Sequence, residues 1–406
     1  MQMDLGRFAE VGHGYFTFPK LEGELGPWMY FQGQKVLNWS LNNYLGLGNH
    51  PEIRKVDAEA AQEWGLAYPM GSRMLTGHTK YHEQFEQEAA DFMGKEDAYL
   101  LNFGYQGCAS IVQSLVGRKD VIVYDQLCHS CILDGMMMSG AKRFMYKHNN
   151  MEQFEDRLKK ATALAEKQGG GILVITEGIF GMKGDTGEVG EMVKFKEKYN
   201  FRLFVDDAHG FGVIGDNGRG VGEFYNCMDE IDVLFCTFAK SMASIGAFVA
   251  GPKKVINFLR YNMRSQVYAK SLPMPLTIGA LKRLEMLRTM PELREKLWTI
   301  VNALRKGLKD RGYDIGGKNS AVTPVYLKGD HMEAARMIID LRTNYNLFVS
   351  VVTYPVVEQG EIMLRMISTA DHSLEDVEYT LNAFDEVAKK LAAGAYKEGE
   401  VAVAIK

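Results

Sequence analysis

The sequence predicts an α/β protein built on a mostly parallel central sheet with helices on both faces, followed by a smaller C-terminal α+β domain. Three observations support this prediction. Short apolar runs alternate with helical patterns through the middle of the chain, the runs are continuous rather than alternating in polarity, and the pattern changes near residue 290. Continuous apolar strands separated by helices are typical of a parallel sheet that is buried on both faces.

Size and composition limit the possible architectures. A chain of 406 residues is longer than one ordinary hydrophobic core supports, so more than one domain is expected. We predict an N-terminal segment over residues 1–50, a large domain over 51–290, a small C-terminal domain over 291–395 and a tail over 396–406. With 46% hydrophobic residues, a net charge of −4 and no long basic block, the chain is globular and nucleic acid is not an expected partner.

The elements of both domains follow from hydrophobic periodicity. Phe85, Ala89 and Phe92, at three- and four-residue spacing, are typical of a helix. In the large domain the predicted helices cover residues 51–64, 81–93, 151–166 and 191–199, and the predicted strands cover residues 98–101, 121–124, 171–176, 202–205, 233–237 and 247–250. In the small domain a helical region over 280–308 precedes strands at 322–327, 348–352 and 362–367 and a closing helix over 374–391.

The N-terminus and the cysteines favour a cytoplasmic location. Residues 1–16 lack the apolar core of a signal peptide, and no apolar run is long enough to span a membrane, so any lipid contact is expected to be peripheral. Cys128 and Cys131 have C-x-x-C spacing, but no second pair follows, so we interpret the thiols as buried and free and expect no metal site. The five cysteines are Cys108, Cys128, Cys131, Cys227 and Cys236.

The segment from Cys236 to Gly251 places a lysine, Lys240, between two apolar strands. An ammonium group at the end of a buried strand loses solvation, so we predict a lowered pKa and a neutral amine able to form a Schiff base. A lone lysine in a loop is more often a surface residue. The interpretation therefore depends on what the rest of the chain places beside Lys240.

Polar residues also follow other predicted strands. Asp206, Asp207 and His209 follow one apolar strand. Burying these three polar side chains costs free energy unless a cation pairs with them. The alternative, a helix cap followed by a glycine turn, would explain only one of the two aspartates. His129 follows another strand, although such a histidine alone is more often structural. The segment from Asn102 to Gly107 offers backbone N–H groups at a helix start, which is a weak signal for an anion site.

Together these groups match what pyridoxal phosphate needs from a protein. An aspartate at a strand end can keep a pyridine nitrogen protonated, and a histidine can stack on the ring. The first turn of a helix can hold a phosphate, and Lys240 can form the Schiff base.

The chain resembles the α-oxoamine synthase family of fold-type I pyridoxal-phosphate enzymes over nearly its whole length. Eight segments match the family's motifs in order, whereas a single match would carry little weight. The resemblance implies a fold-type I transferase fold, a C-acyltransferase activity and a homodimer with shared active sites. The matching segments are Asn42-Asn43-Tyr44-Leu45-Gly46-Leu47, Gly71-Ser72-Arg73, Gly104-Tyr105-Gln106, Asp125 to His129, Glu177-Gly178-Ile179-Phe180, Asp206-Asp207-Ala208-His209, Thr237-Phe238-Ala239-Lys240 and Leu364-Arg365.

The resemblance also implies a role for individual residues. Lys240 would carry the cofactor, Asp206 would pair with the pyridine nitrogen, His209 would lie near the 3-hydroxyl and His129 would stack on the ring. The other cofactor-binding groups that the resemblance implies are the backbone of Gly104 and Tyr105, Glu177, Thr237 and Ser271, the last of which would reach the phosphate of a neighbouring subunit.

The implied reaction joins an amino acid to an acyl thioester, carried by CoA or by an acyl carrier protein, with loss of CO2. Asn42 and Arg365 would hold the amino-acid carboxylate, for which the arginine fork is well suited. The Gly71-Ser72-Arg73 and Tyr354-Pro355 segments indicate the long-chain branch, that of serine palmitoyltransferase and its cysteate-using counterpart.

Three cationic or donor groups, Arg73, His78 and Lys270, could meet a sulfonate, so cysteate is favoured over serine, although each group alone could be an ordinary surface residue. Gly181 and Ala239 depart from the family, which often has serine at the first position and serine or glycine at the second. The alternatives are glycine C-acetyltransferase or 8-amino-7-oxononanoate synthase activity, an aminotransferase, or a non-catalytic partner subunit, against which Lys240 argues.

Overall fold

The computed structural model describes residues 12–317, 319–353 and 357–397. The Tyr354-Pro355 segment and residues 398–406 of the predicted tail lie outside the described residues. Contacts between residues group the chain into two compact units, one formed by Asn43–Arg294 and the other by the described parts of Met1–Asn42, Glu295–Gly317 and Ala321–Lys406. The domain boundary predicted at residue 290 therefore stays a prediction. Residues 12–42, which were predicted as a separate N-terminal segment, group with the C-terminal part of the chain.

The strands are numbered in chain order. They are β1 Leu21–Glu22, β2 Trp28–Phe31, β3 Gln34–Asn38, β4 Asp97–Leu101, β5 Val121–Asp125, β6 Lys142–Tyr146, β7 Ile172–Glu177, β8 Ile179–Phe180, β9 Asp185–Thr186, β10 Arg202–Asp206, β11 Val233–Thr237, β12 Ala247–Gly251, β13 Val322–Lys328, β14 Leu347–Phe348, β15 Ser350–Val352 and β16 Glu361–Ile367.

The longer helices connect these strands. Those of the Asn43–Arg294 unit are Pro51–Trp64, Lys80–Met93, Gly104–Leu115, Ser130–Ser139, Met151–Gln168, Lys253–Asn262 and Met274–Thr289. Glu292–Asp310, His331–Asn344 and Leu374–Ala392 follow in the C-terminal part. Short helical turns lie at Val189–Met192, Val221–Phe224 and Arg264–Val267.

The central sheet has seven strands in the order β4-β12-β11-β10-β7-β5-β6. Four neighbouring pairs, from β11 to β6, are parallel, and β12 is antiparallel to both of its neighbours. The prediction of a mostly parallel sheet covered by helices is therefore confirmed. Every residue of β7 and β11 is buried, as continuous apolar strands between two helical layers require.

Strand β6 was missed by the sequence analysis. It is an edge strand of sequence Lys-Arg-Phe-Met-Tyr in which Tyr146 is the only buried residue, so it lacks the apolar run that identified the other strands. Its exposed Lys142 and Arg143 are typical of an edge that must not pair with another chain.

The other unit contains two small sheets, β13-β16-β15 and β1-β2-β3-β14. Strand β3 pairs in parallel with β14, so that Leu37 lies opposite Leu347. Trp39, directly after β3, is fully buried in the core of this unit, stacks on His372 at 3.9 Å and donates from Nε1 to Thr380 Oγ1 at 2.9 Å. These contacts fix the N-terminal segment to this unit.

Among the residues that the structure describes, no helix is long and apolar enough to cross a membrane.

His148 links two strands of the large unit through an ion-pair bridge. Its Nδ1 lies 3.0 Å from Asp125 Oδ1 at the end of β5, and its Nε2 lies 2.9 Å from Asp185 Oδ2 in β9. Burial by itself lowers the pKa of His148, but the hydrogen bonds to Asp125 and Asp185 outweigh it and raise the pKa to about 9.

Replacing His148 with asparagine is expected to destabilise the protein in a pH-dependent way. Because the folded-state pKa lies above the unfolded value, the bridge contributes most below pH ~6.5 and its contribution is lost as the pH rises through ~9. Urea unfolding of both proteins should give a difference of about 3 kcal/mol at low pH that shrinks at high pH. The exposed His331→Asn variant serves as the control, and a difference that is independent of pH would contradict the prediction.

Candidate active site

Polar side chains converge at one edge of the central sheet. Asp206 is the last residue of β10 and lies directly opposite Glu177, the last residue of β7. Thr237 is the last residue of β11, the neighbour of β10 on the other side. Parallel strands bring their carboxyl ends to the same edge, where ligands of such sheets bind.

Lys240 follows β11 in a tight turn and contacts His209. The Lys240 Nζ lies 3.0 Å from His209 Nε2, and Tyr44 OH lies 2.5 Å from His209 Nδ1. Tyr44 and His209 are buried, so the imidazole bridges a phenol and an amine away from bulk solvent. Tyr44 was not predicted as a site residue, although it lies within the matching segment Asn42 to Leu47.

Gly181, one of the two departures from the family, has a structural reason. A Cβ atom placed on Gly181 would lie 2.1 Å from His209 Nε2, which is far inside contact distance. The imidazole therefore occupies the space that a side chain at position 181 would fill. The other departure, Ala239, is exposed, and its backbone N–H donates to Thr237 Oγ1 at 3.3 Å.

Asp206 and Glu177 form a buried pair of carboxyl groups. Burial, with a further contribution from Cys131, raises the pKa of Asp206 to about 7, and burial followed by the nearby Asp206 raises the pKa of Glu177 well above its usual value. Asp206 Oδ1 accepts from the Ala208 N–H at 3.1 Å, and Glu177 Oε1 accepts from the His129 N–H at 2.6 Å. A cation placed against Asp206 would favour its ionised form.

Asp207 has a different environment from its neighbour Asp206. Its Oδ2 accepts from the Val221 N–H at 2.7 Å, and burial raises its pKa to about 7. Because successive residues at a strand end point to opposite sides, the predicted cluster of two acids divides into one site residue and one structural residue.

His129 lies at the N-terminal end of the Ser130–Ser139 helix with an exposed side chain. Its Nδ1 lies 3.0 Å from Cys131 Sγ, and this contact raises the pKa of His129. The Tyr105 ring lies edge-on to the imidazole, with centroids 6.1 Å apart. An exposed imidazole face is what stacking on a cofactor ring needs, so the role predicted for His129 remains open to test.

Two thiols lie beside Asp206. Cys108 Sγ is 3.8 Å from Asp206 Oδ2. The pKa of Cys131 is lowered to about 6, mainly by a hydrogen bond with Cys108 and to a lesser extent by the contact with His129, which together outweigh the effect of burial. The pKa of Cys108, in contrast, is raised by burial. All five cysteines are free and buried, as the sequence predicts, but nothing in the sequence indicated that Cys108 and Cys131 meet.

The first turn of the Gly104–Leu115 helix lies against Thr237. A Cβ atom on Gly104 would lie 2.7 Å from Thr237 Oγ1, so only glycine lets the helix start come this close to the end of β11. Backbone N–H groups at a helix start next to a threonine hydroxyl form a cradle suited to a phosphate. The predicted grouping of Gly104 with Thr237 is therefore present.

Other predicted substrate residues have partners elsewhere. Arg73 NH2 donates to the buried Glu86 at 2.8 Å, and its guanidinium lies over the Tyr99 ring. His78 Nε2 lies 3.0 Å from Glu83. Both side chains therefore contact carboxylates within this chain, and their predicted substrate roles stay predictions.

Ser271 and the carboxylate-binding pair stay predictions as well. Ser271 Oγ is buried, and its backbone N–H donates to Gly71 O at 2.9 Å. Arg365 lies in β16 with Ser350 and Pro324 as its register partners, and the exposed Asn42 belongs to the same unit as Arg365.

Comparison with known proteins identifies the family. The family model described as Aminotransferase class I and II matches residues 34–384, which is most of the chain. The chain belongs to this family. A cysteate-C-fatty acyltransferase from Capnocytophaga ochracea is 58% identical over 393 residues, which cover 97% of this chain and 94% of the relative.

Solved structures point to the same group within the family. Serine palmitoyltransferase from Sphingomonas wittichii superimposes with a TM-score of 0.89 and 29% identity, over 97% of each chain. The enzyme from S. paucimobilis with a bound PLP–myriocin aldimine gives a TM-score of 0.87 and 28% identity, over 96% of this chain and 97% of that one. The protein is an α-oxoamine synthase, a pyridoxal-phosphate-dependent acyltransferase of fold-type I, and the predictions of family, fold, cofactor and enzyme class are confirmed.

The described residues of this α-oxoamine synthase fit pyridoxal phosphate. Asp206 is a buried carboxyl group whose pKa is raised to about 7 by burial and by Cys131, and a pyridinium nitrogen placed against it would favour its ionised form. Gly104 and Thr237 form the phosphate cradle described above, and the Lys240 amine lies at the same edge of the sheet. Lys240, Asp206, His209, Gly104 and Thr237 are thus the residues that would hold the cofactor.

Proposed function

We propose that this α-oxoamine synthase condenses cysteate with a long-chain fatty acyl thioester. The observation that carries the proposal is the 58% identity, over 97% of the chain, to a cysteate-C-fatty acyltransferase. The reaction forms a bond between the amino-acid Cα and the acyl carbon and breaks the thioester C–S bond, which releases the thiol. It also breaks the bond between Cα and the carboxylate, which releases CO2, and a proton returns to Cα. The product is an α-amino ketone that carries a sulfonate, a base for sulfonolipid synthesis; with serine the same reaction would give a sphingolipid base.

Lys240 is the proton-transfer residue in this proposal. Bound pyridoxal phosphate supplies the electron sink that accepts the electron pair left at Cα. The Lys240 amine takes the Cα proton, and His209, which is 3.0 Å away, orients the amine and donates or accepts a hydrogen bond according to its tautomer. Tyr44 fixes that tautomer through its 2.5 Å contact with Nδ1.

Asp206 and Glu177 are the buried acids of the proposed site. An ionised Asp206 keeps a proton on the cofactor ring nitrogen, which strengthens the electron sink. Burial and the nearby Asp206 raise the pKa of Glu177 well above its usual value, and Glu177 Oε1 accepts the 2.6 Å hydrogen bond from the His129 N–H, which orients the backbone at that point.

Lys270 is the cation that we propose for the sulfonate. It is exposed, whereas Arg73 and His78 are paired with Glu86 and Glu83. Asn102 Nδ2 donates to the Lys270 carbonyl at 2.5 Å, which ties the lysine to the residues just before the Gly104 cradle. In this proposal Arg365 and Asn42 bind the carboxylate.

We also propose a cytoplasmic homodimer with shared active sites, with the acyl group delivered by CoA or by an acyl carrier protein. Leu66, Met70, Leu75 and Tyr268 are each more than 70% exposed, and a second copy of the chain would cover such an apolar surface. Free thiols throughout fit a reducing compartment. Light scattering of the holoenzyme would test the dimer.

Release of CO2 from cysteate, serine, glycine and alanine with a long-chain acyl-CoA tests the substrate. Cysteate should give a kcat/KM at least about 10-fold above serine, because one hydrogen bond to a charged group is worth about 1.5–3 kcal/mol. Lys270→Ala should reduce this preference, and the exposed Lys254→Ala serves as the matched control. A higher kcat/KM with serine or glycine would overturn the cysteate assignment.

A further inference from the structure

Three metal-ligating side chains meet at the Asp206 carboxylate, at the end of β10. The sulfur atoms of Cys108 and Cys131 and a carboxylate oxygen of Asp206 all lie within 4.8 Å of one another, and all three residues are buried. Two thiols and a carboxylate are donors that Zn²⁺ accepts. Sequence spacing gave no hint of this group, because its members come from three separate elements.

The packing of two helices brings the thiols together. Cys108 lies on the Gly104–Leu115 helix and Cys131 on the Ser130–Ser139 helix. One turn beyond Cys131, a Cβ atom on Gly135 would lie 2.6 Å from Ala109 O, so the two backbones approach as closely as a glycine permits. The thiol pair therefore rests on a rigid helix crossing rather than on a mobile loop.

The C-x-x-C spacing of the sequence is not the relevant pair. Cys128 Sγ points to Ile175 O at 3.8 Å and is not one of the three clustered donors. Cys128 is nevertheless a buried thiol three residues from Cys131, so it offers a matched control for any experiment on the cluster.

We propose that the cofactor-free enzyme binds one Zn²⁺ ion at Cys108, Cys131 and Asp206, and that this ion competes with pyridoxal phosphate. A tetrahedral Zn²⁺ with bonds of about 2.0–2.3 Å separates its ligand atoms by about 3.5–3.8 Å. Cys108 Sγ already lies 3.8 Å from Asp206 Oδ2. Binding releases any protons still on the two thiols to solvent and leaves a fourth position for water.

Competition follows from the shared carboxylate. Asp206 cannot ligate Zn²⁺ and pair with a protonated ring nitrogen at the same time, because both partners require the same oxygen atoms and both are positive. The cluster would thus make cofactor loading sensitive to thiophilic cations. This inference concerns cofactor loading only and is independent of which amino acid or acyl donor the enzyme uses.

Zinc titration of the full-length chain, stripped of cofactor, tests the proposal. One equivalent of Zn²⁺ should bind, as measured by metal analysis after gel filtration, and Cd²⁺ should give the ultraviolet band of a thiolate–metal bond. At a zinc concentration of 10 Kd, the apparent affinity for pyridoxal phosphate, measured by absorbance of the bound cofactor, should fall about 11-fold.

The variants decide between this site and adventitious binding. Cys131→Ser and Cys108→Ser should each weaken zinc binding by at least about 100-fold and abolish the effect of zinc on loading, while Cys128→Ser should behave as the wild type. Cys131→Ala replaces Cys131→Ser if the latter does not fold, as judged by circular dichroism. Absence of stoichiometric zinc, equal zinc binding in all variants, or zinc that stays bound after full cofactor loading would each overturn the proposal.

Discussion

Lys240→Ala should abolish turnover and leave the fold intact. We expect a loss of about 10⁴-fold or more, because the change removes the covalent anchor together with a positioned proton acceptor, which alone contributes about 10²–10⁴-fold. Lys240 lies half-buried in the turn after β11 and is not part of the hydrophobic core, so its removal should change thermal stability little.

The measurement that separates chemistry from folding uses borohydride. Reduction of the loaded wild type should fix the cofactor to the protein and raise its intact mass by that of one phosphopyridoxyl group, which is the reduced cofactor less the water lost when the Schiff base forms. The Lys240→Ala variant should show no such increase, whereas Lys254→Ala, a change at an exposed lysine, should match the wild type. Retention of turnover by Lys240→Ala would refute the site assignment.

Asp206→Asn should lower kcat by about 10²–10⁴-fold while the protein still folds. The amide is nearly the same size as the carboxyl group and can still accept the Ala208 N–H hydrogen bond, but it carries no negative charge to keep the ring nitrogen protonated. The absorbance of the bound cofactor should shift as well, which reports on the charge of the ring independently of activity.

Asp207→Asn is the matched control for Asp206→Asn. Asp207 is also buried, but its Oδ2 accepts from the Val221 N–H and its Oδ1 is buried without a hydrogen-bond partner. An amide NH2 in place of Oδ1 would be a buried donor without an acceptor, so the replacement should lower the free energy of unfolding by about 1–3 kcal/mol and leave the cofactor absorbance unchanged. If Asp207→Asn shifted the absorbance and Asp206→Asn did not, the assignment of the two acids would have to be exchanged.

Zinc sensitivity and the choice of substrate depend on different parts of the site. The cluster of Cys108, Cys131 and Asp206 bears on whether the enzyme is loaded, and Lys270 bears on which amino acid the loaded enzyme accepts. The two proposals can therefore fail separately, and a failure of one leaves the evidence for the other unchanged.

The sequence by itself determined the parallel sheet and the strand-end residues. Buried strands such as β7, β10 and β11 have continuous apolar runs, and the acid that ends β10, Asp206, stands out against its run. Both signals are local, because burial on two faces dictates the composition of a strand directly. Lys240 was identified by the same kind of local signal, because it directly follows the apolar strand β11 in the sequence. The order of the matching motifs along the chain then indicated the family.

Only the tertiary structure decided which side chains meet. The pairing of β3 with β14, the bridge from Tyr44 through His209 to Lys240, and the meeting of Cys108 with Cys131 all join residues that are far apart in the chain. Such meetings depend on helix crossings and strand order, which a single sequence does not encode in any local pattern. The contrast between Asp206 and Asp207 has the same origin, since both are aspartates and the backbone at the end of β10 determines that Asp206 lies beside Cys108 while Asp207 accepts from the Val221 N–H.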